Sequence, residues 1–166
     1  PDFEEYDRLT MFFEEFILRA RRIEKDCVLE DSGIDTVTGL RSRHVMQKDV
    51  MREMDRLARR GKAFSIALLR VDDFDGVQKS FDSTTIQSLV RFISDMIRCS
   101  VRSFDDAYYM DNGLFILSLK QTDAQGGIRA LQRLRTELEK KESAYKMQDF
   151  GINLSLSSCV AEPLPG

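Results

Sequence analysis

Apolar positions along this chain switch between helical and strand periods, and the switches outline its elements. Over residues 3–29, Leu9, Phe13, Phe16, Ala20, Ile23 and Cys27 alternate spacings of four and three, the a/d stripe of a heptad helix. Phe12 and Ile17 widen that face. So wide a stripe calls for a partner, and a two-chain coiled coil is the reading favoured over packing on the chain's own domain. Residues 30–43 follow as a polar loop, with Ser42 as N-cap of a helix over 43–60. Val45, Val50, Met54, Leu57 and Ala58 are its predicted inward residues, and Gly61 ends it. The unbroken apolar run "AFSIALLRV", residues 63–71, predicts a central strand buried on both faces. A turn and short helix come next, and then an amphipathic helix over 84–101 with Ile86, Leu89, Val90, Ile93, Met96, Ile97 and Val101 on one face. Asn112-Gly113, a strong two-residue hairpin signal, separates strands at 106–111 and 114–120. A helix over 123–142 turns Ile128, Leu131, Leu134 and Leu138 inward, and a strand over 152–162 closes the pattern. A hairpin set between helices predicts an α+β fold, a mainly antiparallel central sheet flanked by helices.

With 166 residues and 42% hydrophobic content, the chain has material for one domain and an extension. Its formal net charge of -3 disfavours non-specific nucleic-acid binding but leaves room for small anions at a local arginine cluster. Cys27, Cys99 and Cys159 lie too far apart for a disulfide framework or a zinc site, and His44 is the single histidine. No apolar run reaches the roughly 18 residues of a membrane span, and no leader-like stretch appears, which predicts a cytoplasmic protein. A chain that opens on Pro1 is expected to be part of a longer one with additional domains.

Two groups of residues carry candidate chemistry. Carboxylates cluster in "VDDFD" (Asp72, Asp73, Asp75), and the hairpin adds Asp111. Strand-end aspartates beside a hairpin tip can hold Mg²⁺, although a solvated acidic turn is the commoner origin of such a cluster. Arg-x-x-Asp can read guanine, the guanidinium donating to O6 and N7 and the carboxylate accepting from N1–H and the 2-amino group. Three copies occur: Arg52…Asp55, Arg70…Asp73 and Arg102…Asp105. Spacing does not separate them. The first lies within a helix, where an i,i+3 ion pair explains it. Arg102…Asp105 falls where a helix ends and the hairpin begins, so its side chains can converge on a surface pocket. Arg129 and Arg133 lie one turn apart, opposite the Ile128–Leu138 face, as a solvent-facing basic stripe with Arg133 pairing Glu137.

Three segments in order, "DTVTGLRSRH", "IALLRVDDFDGVQKSF" and "INLSLSSCVA", resemble the GGDEF domain, the diguanylate cyclase domain of bacterial c-di-GMP signalling. The resemblance spans residues 31–162, and the helix before it resembles the family's signalling helix. It implies a palm-like domain over 31–166 preceded by a helical segment over 1–30. Asp35, Thr38, Gly39, Leu40 and Arg43 match the family's opening motif, with Ser42 in place of its asparagine. The departures fall on functional positions. Arg70 stands at the first metal-binding aspartate, and Gln78 and Gln87 stand at a guanine-contacting asparagine and a nearby aspartate. The signature pentapeptide reads Asp111-Asn112-Gly113-Leu114-Phe115, keeping only the phenylalanine. The implied active site is dead, with no metal or cofactor.

The family's inhibitory Arg-x-x-Asp ends six positions before the signature, and Asp105 is six positions before Asp111. This singles out Arg102 and Asp105, and Arg133 falls at the second arginine of that site. What the resemblance implies is a catalytically inactive receptor binding c-di-GMP, as an intercalated dimer, through Arg102, Asp105 and Arg133. Its expected form is a homodimer through the N-terminal helix. The alternative is a nucleotide-independent scaffold for dimerisation and protein–protein interaction.

Overall fold

The computed structural model describes residues 10–17, 33–142 and 154–164. Its elements are β1 (Arg41–Ser42), α1 (Arg43–Arg60), β2 (Phe64–Val71), α2 (Phe74–Ser80), α3 (Ser83–Ser100), β3 (Asp106–Tyr109), β4 (Leu114–Lys120), α4 (Ala124–Glu142) and β5 (Leu156–Ala161). The strands form one sheet in the order β1-β3-β4-β2-β5, antiparallel except for the parallel pair β1–β3. This is the expected α+β architecture, with β2 central between β4 and β5.

The continuous apolar run of β2 follows from burial on both faces. Phe64, Ile66 and Leu68 join Met46, Val50 and Leu57 of α1 in one cluster, with Tyr108 and Ile116. Ala67, Leu69 and Val71 join α3 and α4 in the other, with Phe115, Leu117 and Leu119 of β4. Alternate residues serve opposite layers, so neither face shows polar alternation.

Several expected details differ. Ser42 stands at the N-cap of α1 in an extended conformation, but its side chain makes no capping bond and its hydroxyl is buried without a partner. It belongs instead to β1, which the apolar pattern missed because two residues carry no period. The inward face of α1 is Met46, Asp49, Val50, Glu53 and Leu57, while Ala58 is exposed. Two acids on that face moved it away from the apolar stripe. Asp49 is held by Arg41 at 2.8 Å and Tyr108 at 2.9 Å, and Glu53 by Arg56 at 2.6 Å. Ile128 is also exposed. Gly127 takes the packing position in its place, because a Cβ there would lie 2.7 Å from Val160 Cγ1, and the bare glycine lets α4 close on the sheet.

Of the helix expected over 3–29, residues 10–17 are helical, and the rest lies outside the described residues. Phe13 and Phe16, two stripe positions, pack on the α1-side cluster of this same chain. At these two positions the α1-side cluster of the same chain supplies cover, the packing that the sequence reading ranked second to a coiled coil. Leu9, Ala20, Ile23 and Cys27 lie outside the described residues.

Tyr108 is fully buried and donates its hydroxyl to Asp49 Oδ2 at 2.9 Å. Burial first, and the nearby Asp106 and Asp49 carboxylates second, push its phenol far above its ordinary pKa of 10.0. A raised folded-state value means that the stability is fully present below that ordinary value and is lost as pH rises past it. Tyr108→Phe is expected to cost about 1 kcal/mol at neutral pH, the worth of one hydrogen bond. It should also flatten the loss of stability above about pH 10, as urea midpoints compared at the two pH values would read.

Candidate functional site

Asp105 anchors the turn between α3 and β3. Its backbone N–H donates to the Arg102 carbonyl at 3.0 Å, which folds the two residues onto one another. The Asp105 side chain is only 2% exposed. Its carboxylate accepts from Arg102 N–H at 3.1 Å, Arg102 Nε at 3.0 Å and the Lys120 N–H at 3.0 Å. Arg102 reaches further, donating through Nη2 to the Lys120 carbonyl at 3.0 Å and to Thr122 Oγ1 at 2.6 Å. Its guanidinium lies 4.6 Å from the centroid of the Phe104 ring. The end of α3, the end of β4 and the loop that leads into α4 thus meet around one arginine.

Those elements wall a groove of about 820 Å³, a volume suited to a nucleotide-sized ligand. Arg102, Asp105 and Arg133 all line it, so the structure brings the three candidate residues together. Arg129 lines it too, although the helical stripe left that residue to solvent. Lys62 was missed altogether, since a lone lysine after a helix-capping glycine carries no pattern. Arg133 does not pair Glu137 as expected, because Glu137 takes Lys140 at 3.1 Å. Among the described residues neither Arg129 nor Arg133 has an ion-pair partner, which leaves both charges available to the groove.

The other two Arg-x-x-Asp copies lead nowhere. Arg52 lies 3.9 Å from Asp49 rather than bonding Asp55, and Arg70 is an exposed residue on β2 in register with Leu114 and Ser157.

At the opposite end of the sheet, the hairpin closes as a type I′ turn. Asn112 and Gly113 have φ of 50° and 70°, and Leu114 N–H donates to the Asp111 carbonyl at 3.0 Å. Asp111 is also left-handed, at φ 68°, and its carboxylate pairs with Arg43 at 3.1 Å. Gly113 is required here. A Cβ at this position would lie 2.7 Å from the Phe74 ring, and the Gly113 carbonyl accepts from Val71 N–H at 2.9 Å.

Asp72 accepts from the hydroxyls of Ser155 and Ser157 at 2.6 Å each. These bonds, and then the positive charges of Arg70 and Arg135, hold its carboxyl below the usual carboxylate range. In the opening motif, Asp35, Thr38 and Gly39 have packing and hydrogen-bond partners of their own. Asp35 Oδ1 accepts from the Thr38 N–H and hydroxyl at 2.8 and 2.7 Å, and Gly39, at φ 68°, leaves space for the Arg98 guanidinium.

A model of the family described as diguanylate cyclase, GGDEF domain, matches residues 32–164. The chain belongs to the GGDEF family. It is 24% identical over 147 residues to Diguanylate cyclase DosC of Escherichia coli K12, covering 88% of this chain and 32% of that protein. The chain thus spans about a third of the length of this relative. Its fold matches the crystal structure of the GGDEF domain of DgcB from Caulobacter crescentus in complex with c-di-GMP, with a TM-score of 0.72 at 20% identity, over 84% of this chain and 82% of that one. It also matches diguanylate cyclase SiaD, solved with its activator SiaC from Pseudomonas aeruginosa, with a TM-score of 0.69 at 21% identity over 99% and 61% of the two chains.

Membership in the GGDEF family raises the question of Mg²⁺ at the hairpin end, and the donors there do not fit it. Asp72 has an oxygen on each of two serines, Asp111 is paired to Arg43, and Arg70 and Leu114 face each other across the strands. Among the described residues no three His, Cys, Asp or Glu side chains converge. Two-metal phosphoryl transfer requires several free oxygen ligands from two segments. No helix of the described residues is long and apolar enough to cross a membrane.

Proposed function

We propose that this GGDEF domain is a catalytically inactive receptor that binds c-di-GMP in the groove formed by the Arg102 turn, β4 and α4. The observation that carries the reading is the convergence of Arg102, Asp105 and Arg133 on one groove, with Arg129 and Lys62 beside them. A cyclic dinucleotide carries two phosphodiester charges, and the groove opposes them with these four cations. Asp105 is buried and paired, so it does not cancel them. Arg102 and Arg133 supply the ligand contacts. Asp105 works mainly by fixing Arg102, since all its bonds run to protein donors. The ligand binds as an intercalated dimer, whose stacked guanines present a face to Arg102 and an edge to Arg133. The bound c-di-GMP named for the DgcB domain supports the ligand class. The misfit between the hairpin-end donors and a metal pair supports the inactive reading.

Titration calorimetry on this domain tests the first half. Binding with an affinity in the micromolar range or tighter is expected, and no heat at tens of micromolar ligand overturns the receptor reading. Incubation with GTP and Mg²⁺ tests the second half. No c-di-GMP above the enzyme-free blank is expected, and any metal-dependent product overturns inactivity. One observation favours the alternative of a nucleotide-independent scaffold. Arg102 and Asp105 satisfy one another internally, and that arrangement is stable without a ligand. A calorimetrically silent protein that dimerises in sedimentation would support that alternative.

A further inference from the structure

Arg102 presents an unusual set of free groups. Its Nε is taken by Asp105 Oδ2 at 3.0 Å. Its Nη2 is taken twice, by the Lys120 carbonyl at 3.0 Å and by Thr122 Oγ1 at 2.6 Å. A guanidinium has five N–H donors in a fixed plane, so only the two on Nη1 remain. The two-pronged fork that reads O6 and N7 of guanine needs donors from two nitrogens, and the second nitrogen is engaged. What the residue does offer is its flat face. One side is covered by the Phe104 ring, with the guanidinium carbon 4.6 Å from the ring centroid. Phe104 itself is 47% exposed, and its ring is not part of the apolar core. A half-exposed aromatic beside an arginine pinned by three acceptors has a use there that core packing does not supply.

We propose that Phe104 is a positioning residue of the ligand site: it backs the Arg102 guanidinium so that a purine base stacks on the opposite, open face. The inference rests on the receptor reading and specifies how the site holds its ligand. Three acceptors fix the plate in its own plane, and the ring fixes it perpendicular to that plane. The bound base then completes a sandwich of aromatic ring, guanidinium and purine, in which the cation attracts the π-face on each side. Thr122 shares the positioning role, since its hydroxyl holds Nη2 away from the fork geometry.

The test is calorimetric titration of c-di-GMP into the wild-type domain and four variants, with thermal midpoints recorded alongside. Phe104→Ala and Phe104→Leu are expected to bind about fivefold more weakly, and Phe104→Trp at least as tightly as wild type, the order of cation–π strength. Thermal midpoints should move little, because the ring is half exposed. If the ring served only as apolar cover, Phe104→Leu would bind like wild type, and that result overturns the proposal. Thr122→Val adds a test of opposite sign. In the stacking arrangement it loosens the plate and weakens binding, whereas a fork-reading Arg102 would be released by it and bind more tightly. A tighter Thr122→Val variant overturns the proposal. A wild-type domain that gives no heat overturns the receptor reading and this inference together. A wild type that binds, with all Phe104 variants equal to it, overturns this inference alone.

Discussion

Arg102→Ala is expected to weaken c-di-GMP binding by at least about a hundredfold, which two lost charge-assisted contacts of about 1.5–3 kcal/mol each would produce. The charge nearest the ligand disappears, and so does the surface on which Phe104 acts. The fold should survive the change. Asp105 keeps the backbone N–H of residue 102 and that of Lys120 as donors, so its buried carboxylate is not left bare. Arg52→Ala provides the matched control, because it removes the arginine of another Arg-x-x-Asp copy that lines no part of the groove. Calorimetry on the two variants, with circular dichroism as a check on folding, should show binding lost in the first and unchanged in the second. Equal binding by both would sink the assignment of the groove.

The largest effect on stability is expected at Phe115. The residue is fully buried, pairs with Leu69 and Tyr109 in the sheet, and has its ring centroid 5.1 Å from that of Tyr109 at a 43° tilt. It sits in the cluster that joins β2 and β4 to α3 and α4. Phe115→Ala leaves a cavity that a sheet between two helical layers has little freedom to collapse, and a cost of about 3–5 kcal/mol follows. Urea unfolding should show the loss as a lower midpoint at unchanged slope. A midpoint within error of wild type would contradict the packing described. This result also accounts for the one signature residue that was kept. Phe115 is a core residue, whereas Asp111, Asn112 and Leu114 are exposed or half-buried at the tip, where a change of chemistry costs the fold little.

The fold was legible where periodicity was strong. The two-faced strand β2, the amphipathic α3 and the Asn-Gly hairpin appear within a few residues of their expected bounds, because burial on defined faces leaves a period in the chain. Legibility failed where polar residues enter the interior. Asp49 and Glu53 are buried through partners that include Arg41, Tyr108 and Lys120 from outside their helix, beside Arg52 and Arg56 within it. Gly127 replaces Ile128 at the sheet because the contact needs the absence of a side chain, which hydropathy does not register. At the groove, the sequence singled out Arg102, Asp105 and Arg133 by resemblance and position. Lys62 was not found and Arg129 was read only as part of a solvent-facing stripe, since a cation that faces a groove and one that faces bulk water have the same spacing. The inward anchoring of Arg102 was equally invisible. Its acceptors at Lys120 and Thr122 lie 18 and 20 residues away and include a backbone carbonyl, which belongs to every residue alike.

The left-handed run at Asp111, Asn112 and Gly113 separates shape from chemistry at this end of the molecule. Aspartate and asparagine are, after glycine, the residues that tolerate that backbone best, so positions 111 and 112 hold the path of the loop with any of the three types, while Gly113, against the Phe74 ring, stays glycine. The scaffold is therefore reprogrammable. Side chains at the tip can be exchanged as one exchanges the head of a tool, while the handle, clamped by the Gly113 carbonyl on Val71 and by the Phe74 ring, keeps its form.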